Sequence, residues 1–364
     1  MTALADRLAA RTLELIDIPS PSGAEEAIRT RLLELVPGAL KAVYAGDEAF
    51  LFLPERRPQA PLVLLAGHYD TVPAQDNLPG RVEDGAVHGL GASDMKGGLA
   101  VAIELVRDLL AGGREAGPYD VGLLLFGREE LPAEHNPLPA LFAGSSAVHE
   151  AALAILLEPT DLEIQAGCLG NVVARLTFHG RSGHSARPWL ADNAIERALA
   201  GLQPFFGLEP RPAVVEGLEF TEVLAVTRLD AGIADNVVPG TATATVSFRY
   251  PPDRSPVDAE AYLRSLVPEE ATLEIVGNSV PGRVVVGSSL VRALRAAGDL
   301  EVRPKQAWTN VADFTANGVD AVNFGPGHTT LAHRPDEHVR IDSLAGAYEV
   351  LDRFLTGPIG DDSA

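Results

Sequence analysis

The sequence predicts an α/β protein whose main domain is split by an inserted α+β domain, and three patterns carry that prediction. Leu62-Val-Leu-Leu-Ala66, Val121-Gly-Leu-Leu-Leu-Phe126 and Ala152-Leu-Ala-Ile-Leu-Leu157 are short continuous apolar runs. Such runs suit strands buried on both faces of a parallel sheet. Between the first two, Gly98 to Leu110 sets Leu99, Ile103, Val106 and Leu110 on one helical face. Strand, helix and strand in this rhythm build a sheet covered by helices. From about Asn171 the texture changes: Val172–Phe178 and Thr241–Arg249 alternate by twos, as half-exposed antiparallel strands do.

The remaining elements fall into place around these. Leu4, Leu8, Leu13 and Leu15–Ile16 predict a first helix over residues 4–16, stopped by Pro19-Ser-Pro-Ser-Gly23. A second, about 25–36, ends at Pro37-Gly38. Helical patterns near 191–203 and 256–266 separate the alternating strands, so residues 171–281 read as the insertion. The α/β texture then returns, with a helix over 288–297, a short strand over 320–324 and a closing helix over 343–355. The main domain is therefore expected to comprise residues 1–170 and 282–364. No internal repeat or low-complexity tract interrupts the chain.

Composition narrows the function classes. The 364 residues suit one large and one smaller core. A net charge of −21 opposes binding to nucleic acid or anionic lipid. It does not exclude small anionic substrates, because a buried metal pair would dominate the local field. With Cys168 as the single cysteine there is no intrachain disulfide, which is compatible with a reducing compartment. The N-terminus already reads as amphipathic helix, not as a leader, and no apolar run approaches the ~20 residues that span a bilayer. A cytoplasmic protein is the expectation.

Each apolar strand runs into histidine or acidic residues. Gly67-His-Tyr-Asp-Thr-Val-Pro73 follows the first, Gly127-Arg-Glu-Glu130 the second and Glu158-Pro159 the third, while Gly89-Leu-Gly-Ala-Ser-Asp-Met-Lys-Gly-Gly98 places a carboxylate before a helix. Sites in open α/β sheets assemble at the carboxyl ends of parallel strands, so His68, Asp70, Asp94, Glu129, Glu130 and Glu158 should converge. Taken singly, each is explained as a solvated strand end; together they are not. Oxygen-rich sets with a few imidazoles suit zinc, or manganese and cobalt in similar geometry. Two close ions share a bridging carboxylate, activate a water and polarise a carbonyl. That chemistry needs a base that is not a ligand, and adjacent Glu129 and Glu130 can divide the two roles.

These segments, the Glu129-Glu130 pair and Ala332-His-Arg-Pro-Asp-Glu337 resemble the signatures of the M20 family of metallopeptidases over nearly the whole chain. Within it the chain is similar to the succinyl-diaminopimelate desuccinylases, particularly the actinobacterial type. The resemblance implies a split zinc-hydrolase domain carrying two zincs (cobalt or manganese being possible substitutes) and an inserted domain that dimerises. It implies that His68 and Glu158 bind one metal, Glu130 and His333 the other, and Asp94 both. Glu129 would take a proton from the attacking water and pass it to the leaving amine, and Asp70 would orient His68. His328 and His338 compete with His333, but only His333 matches the family's Ala-His pattern. In Gly180-Arg-Ser-Gly-His-Ser-Ala-Arg-Pro188, His184 would reach the partner subunit's site and stabilise the oxyanion. Asn236 and Arg249 would bind the carboxylate end of a small N-acyl amino acid substrate.

One departure stands out. Desuccinylases of this type read Trp-Thr-Asp-Val-Ala-Arg-Phe where this chain has Trp308-Thr-Asn-Val-Ala-Asp-Phe314. Asp313 inverts the charge of an arginine that would clamp a substrate carboxylate, and an aspartate cannot make that bidentate contact. Arg334, Arg187 and Arg181 are the available substitutes. Succinyl-diaminopimelate hydrolysis is the first expectation, with another M20 deacylase or a small carboxypeptidase behind it. An inactive paralogue or binding module is the reading from another class, which metal content would test. The glycines around Lys96 lack the order of a phosphate loop, and Cys168 has no attendant base, so a buried inert thiol is expected there.

Overall fold

The computed structural model describes residues 2–111 and 117–358. It divides into two compact units: residues 1–167, 285–303 and 313–364 form one, and residues 168–284 and 304–312 the other.

The larger unit is built on an eight-stranded sheet. Its order is Lys41–Gly46, Ala49–Leu53, Asp120–Phe126, Leu62–His68, Ala151–Leu156, Ala321–Asn323, Ile164–Ala166 and Val302–Pro304. Leu62–His68 pairs parallel with both Asp120–Phe126 and Ala151–Leu156, and Ala321–Asn323 continues the parallel set. All seven residues of Leu62–His68 are buried, which is why the strand reads as an unbroken apolar run. The sheet is mixed, not purely parallel. The hairpin of Lys41–Gly46 and Ala49–Leu53 adds an antiparallel edge, and Ile164–Ala166 runs against Ala321–Asn323. Helices Ala3–Ile16, Gly97–Leu110 and Ile341–Thr356 pack on one another, burying Leu99, Ile103 and Val106 of the middle one while Leu110 stays half-buried.

The smaller unit holds a five-stranded antiparallel sheet in the order Arg211–Val215, Leu218–Ala231, Thr241–Tyr250, Gly170–His179 and Ala271–Ser279. Val172, Ala174, Leu176 and Phe178 alternate inward beside Ala242, Ala244, Val246 and Phe248, packing on Ala198 and Leu263 of helices Ala194–Gly201 and Pro256–Leu266. Residues 304–312 return to this unit after the α/β texture has resumed. Gln306 exchanges hydrogen bonds with the Thr221 backbone, and the Trp308 indole donates to the Val280 carbonyl. Cys168 is buried here, with its sulfur accepting from the Gly282 N–H. Among the described residues, no helix is long and apolar enough to cross a membrane.

Candidate metal centre

Register delivers the site. His68 closes its strand opposite Phe126, and Glu129 and Glu130 follow within four residues. On the other side Ala66 pairs with Leu156, two residues before Glu158. Asp94 comes from an irregular turn, Ala92–Lys96, entered through Gly91 at φ 81, a conformation that glycine adopts without strain. Gly98 lets the following helix approach the strand end that leads to Glu158. A Cβ there would lie 2.2 Å from the Leu157 carbonyl oxygen.

The side chains meet as two groups that share Asp94. His68 Nε2 lies 3.1 Å from Asp94 Oδ1 and 3.9 Å from Glu158 Oε1. His333 Nε2 lies 2.8 Å from Glu130 Oε1 and 3.5 Å from Asp94 Oδ2. One ligand atom each from His68, Asp94 and Glu130 falls within 4.8 Å of the others. Each oxygen of Asp94 thus faces a different imidazole.

Asp70 supports this set from beneath. Its Oδ1 is 3.4 Å from His68 Nδ1 and its backbone carbonyl 3.1 Å from the same nitrogen, so that face of the ring is committed. The same carboxylate accepts the backbone N–H groups of Glu129 and Glu130, both at 3.1 Å, and the Ser22 hydroxyl at 2.6 Å. Burial pushes Asp70 up, but its bonds to His68 and Ser22 hold it below the usual carboxylate range. Asp70→Asn is expected to weaken metal binding or turnover by about 10–100-fold, as loss of a ligand-orienting partner does; chelator competition on the purified variant measures it.

The electrostatics are those of a site built for cations. Burial alone would lower His68, but Asp70 and Asp94 raise it well above its ordinary value. Asp94 and Glu130 raise His333 to about 10. Glu129 is pushed well above the carboxylate range by burial, which the attraction of His68 opposes and the charges of Glu158, Glu130 and Asp94 reinforce. Five carboxyl groups crowded round two imidazoles fit a pair of divalent ions, and the oxygen-rich donor set suits zinc, manganese or cobalt.

In the smaller unit, Gly183–His184 pairs with Val237–Val238, so His184 and Asn236 lie on adjoining segments. The Ser185 N–H donates to the Asn236 carbonyl at 3.0 Å, and the Ala186 N–H to His184 Nδ1 at 3.1 Å. With Nδ1 accepting, Nε2 is the ring nitrogen left to donate, on a residue that is exposed. Arg249 sits on a different strand, Thr241–Tyr250, where burial lowers its guanidinium. Asp313, in the larger unit, accepts from the Asn136 amide at 2.9 Å. Arg334 forms a two-pronged pair with Asp336 at 2.8 and 2.9 Å.

Three participants escaped the sequence reading. Glu337 is 2% exposed and accepts the backbone N–H groups of Gly91, Ser93 and Asp94 at 2.9, 2.9 and 3.0 Å. Burial raises it to about 7 against the pull of those donors. The buried Lys96 ammonium donates to the Ile18 carbonyl at 2.9 Å, and Ser22 supports Asp70. Glu337 sits inside a recognised segment, but nothing in the text of the sequence separates it from exposed Asp336.

Comparison with known proteins gives the family. The model of peptidase family M20/M25/M40 matches residues 64–357. The succinyl-diaminopimelate desuccinylase of Corynebacterium glutamicum is 34% identical over 359 residues, 95% of each chain. A Mycobacterium tuberculosis protein provisionally named as the same enzyme is 36% identical over 357 residues, 95% of this chain and 97% of its own. An M20 family metallo-carboxypeptidase from Sulfolobus solfataricus shares the fold, with TM-score 0.75, 19% identity and coverage of 98% and 99% of the two chains. So does a dinuclear metal binding peptidase of Bacillus subtilis, with TM-score 0.64, 16% identity and coverage of 97% and 98%. The chain belongs to peptidase family M20/M25/M40 and is a metal-dependent amide hydrolase.

Proposed function

We propose that the protein hydrolyses N-succinyl-LL-2,6-diaminopimelate to succinate and LL-2,6-diaminopimelate, a step of lysine biosynthesis, with two zinc ions held by His68, Asp94, Glu130, Glu158 and His333. The observation that carries the chemistry is the shared position of Asp94, one oxygen toward each imidazole. The identity to named desuccinylases along 95% of the chain carries the substrate.

Bound zinc supplies Lewis-acid polarisation of the scissile carbonyl and activation of the attacking water. Glu129 moves the proton: its carboxylate takes one from the water and returns it to the departing nitrogen. The raised affinity of Glu129 for a proton suits it to hold that proton between the two transfers. Asp70 fixes the tautomer of His68 and the turn that presents Glu129. The His184 Nε2–H would donate to the developing oxyanion, while Asn236 and Arg249 would take the substrate's carboxylate end.

Activity on N-succinyl-LL-diaminopimelate well above that on N-acetyl amino acids is the expected result in a parallel assay; the reverse order overturns the substrate. Asp313 favours a second reading, an M20 deacylase of another acyl amino acid. Its carboxylate bonds Asn136 and offers no cationic clamp.

The proposal includes a homodimer in which His184 of one protomer completes the site of its partner. Mixing inactive Glu129→Gln and His184→Ala proteins under subunit exchange should then restore turnover, because a mixed dimer rebuilds one intact site. Continued inactivity of a mixture shown to exchange subunits would rule the shared site out.

A further inference from the structure

We infer that Glu337 is a positioning residue of the metal centre, holding the loop that presents Asp94 through three backbone N–H groups. This inference rests on the proposed two-metal reading and assigns a role that no ligand performs.

The turn Ala92–Lys96 departs from helical geometry at Asp94 and Met95, so its backbone donors need acceptors from outside. Glu337 supplies them with both oxygens: Oε1 takes the N–H groups of Ser93 and Asp94, and Oε2 takes that of Gly91. A carboxylate satisfies three such donors with its two oxygens, and an amide cannot. With Glu337 buried, water cannot replace it without rearrangement.

The carboxylate also links the loop to a metal ligand. Glu337 follows His333 by four residues, and His333 Nε2 lies 3.5 Å from Asp94 Oδ2. That segment is itself tied down: Gln75 donates to the His333 carbonyl at 2.9 Å, Asn77 to the Arg334 carbonyl at 3.3 Å, and the Gly89 N–H to the Glu337 carbonyl at 3.0 Å. One short stretch therefore sets the His333 imidazole and the backbone of Asp94 together. Because Asp94 faces both imidazoles, a loose loop would weaken both ions at once. Lys96, buried two residues beyond Asp94, ties the far end of the same turn to the Ile18 carbonyl at 2.9 Å.

Glu337→Gln is the discriminating variant, since its amide nitrogen must face at least one N–H donor. Zinc is titrated into metal-free wild type and variant against a chelator, alongside cobalt absorption spectra and unfolding of the metal-free forms. The expected result is two ions per wild-type chain, about 10–100-fold weaker binding by the variant, an altered cobalt spectrum and a cooperative metal-free unfolding transition showing that the variant is folded. A variant that binds both ions as tightly as wild type overturns the role of Glu337 alone. Wild type that binds none overturns the metal reading beneath it. Amide exchange on metal-free wild type tests the clamp without any substitution. Slow exchange at Gly91, Ser93 and Asp94 supports it, and exchange at the rate of an open loop overturns it even if Glu337→Gln does not fold.

Discussion

Glu129→Gln should lower kcat by about 10²–10⁴-fold, the span general acid–base catalysis covers, while zinc content stays at the wild-type level. The replacement keeps the shape of the side chain and the backbone N–H that Asp70 accepts. It removes only the ability to take and return a proton. The carboxylates whose charge Glu129 senses, Glu158, Glu130 and Asp94, remain in place to hold metal. KM should move little, because the proton transfer matters in the transition state and not in binding. Steady-state kinetics paired with metal analysis give the answer. A variant within tenfold of wild type would remove Glu129 from the chemistry, and one that lost its zinc would make it a ligand.

Stripping the metal should abolish turnover, and adding back zinc should restore it, with net proton release as the ions bind at pH 7. The carboxylates facing His333 hold it at about 10, so in the metal-free protein it carries a proton at neutral pH, and those facing His68 shift it in the same direction. A ligating imidazole must be neutral, and zinc affinity should therefore fall as pH falls. For the metal-free fold the sign is opposite. A raised folded-state value stabilises fully below 6.5, and the His333 contribution is lost as pH rises through about 10. Calorimetry in buffers of different ionisation enthalpy counts the protons. Metal uptake without proton release would contradict the charge state assigned to His333.

Much of the site was legible because strand ends announce it. The runs 62–66, 121–126 and 152–157 are each followed within three residues by a histidine or carboxylate, and their parallel pairing brings those groups together. The mixed edges of the sheet were not legible: Lys41–Gly46 is largely exposed, so no buried face marks it, and Ile164–Ala166 is three residues long, too short for periodicity to register. Residues 304–312 show a similar limit. Their place in the smaller unit is marked by side-chain bonds such as those of Gln306 and Trp308, which no local pattern encodes. Glu337 and Ser22 were missed for the same reason. A buried acceptor and an exposed one are spelled alike, and only the loop brought against Glu337 by the fold distinguishes it from Asp336.

Anomalous diffraction at the zinc edge, on crystals of the zinc-loaded protein, tests the five-ligand centre most directly. Two peaks are predicted, one bounded by His68, Asp94 and Glu158 and the other by Asp94, Glu130 and His333. No peak among these side chains, or zinc found only elsewhere on the chain, would contradict it.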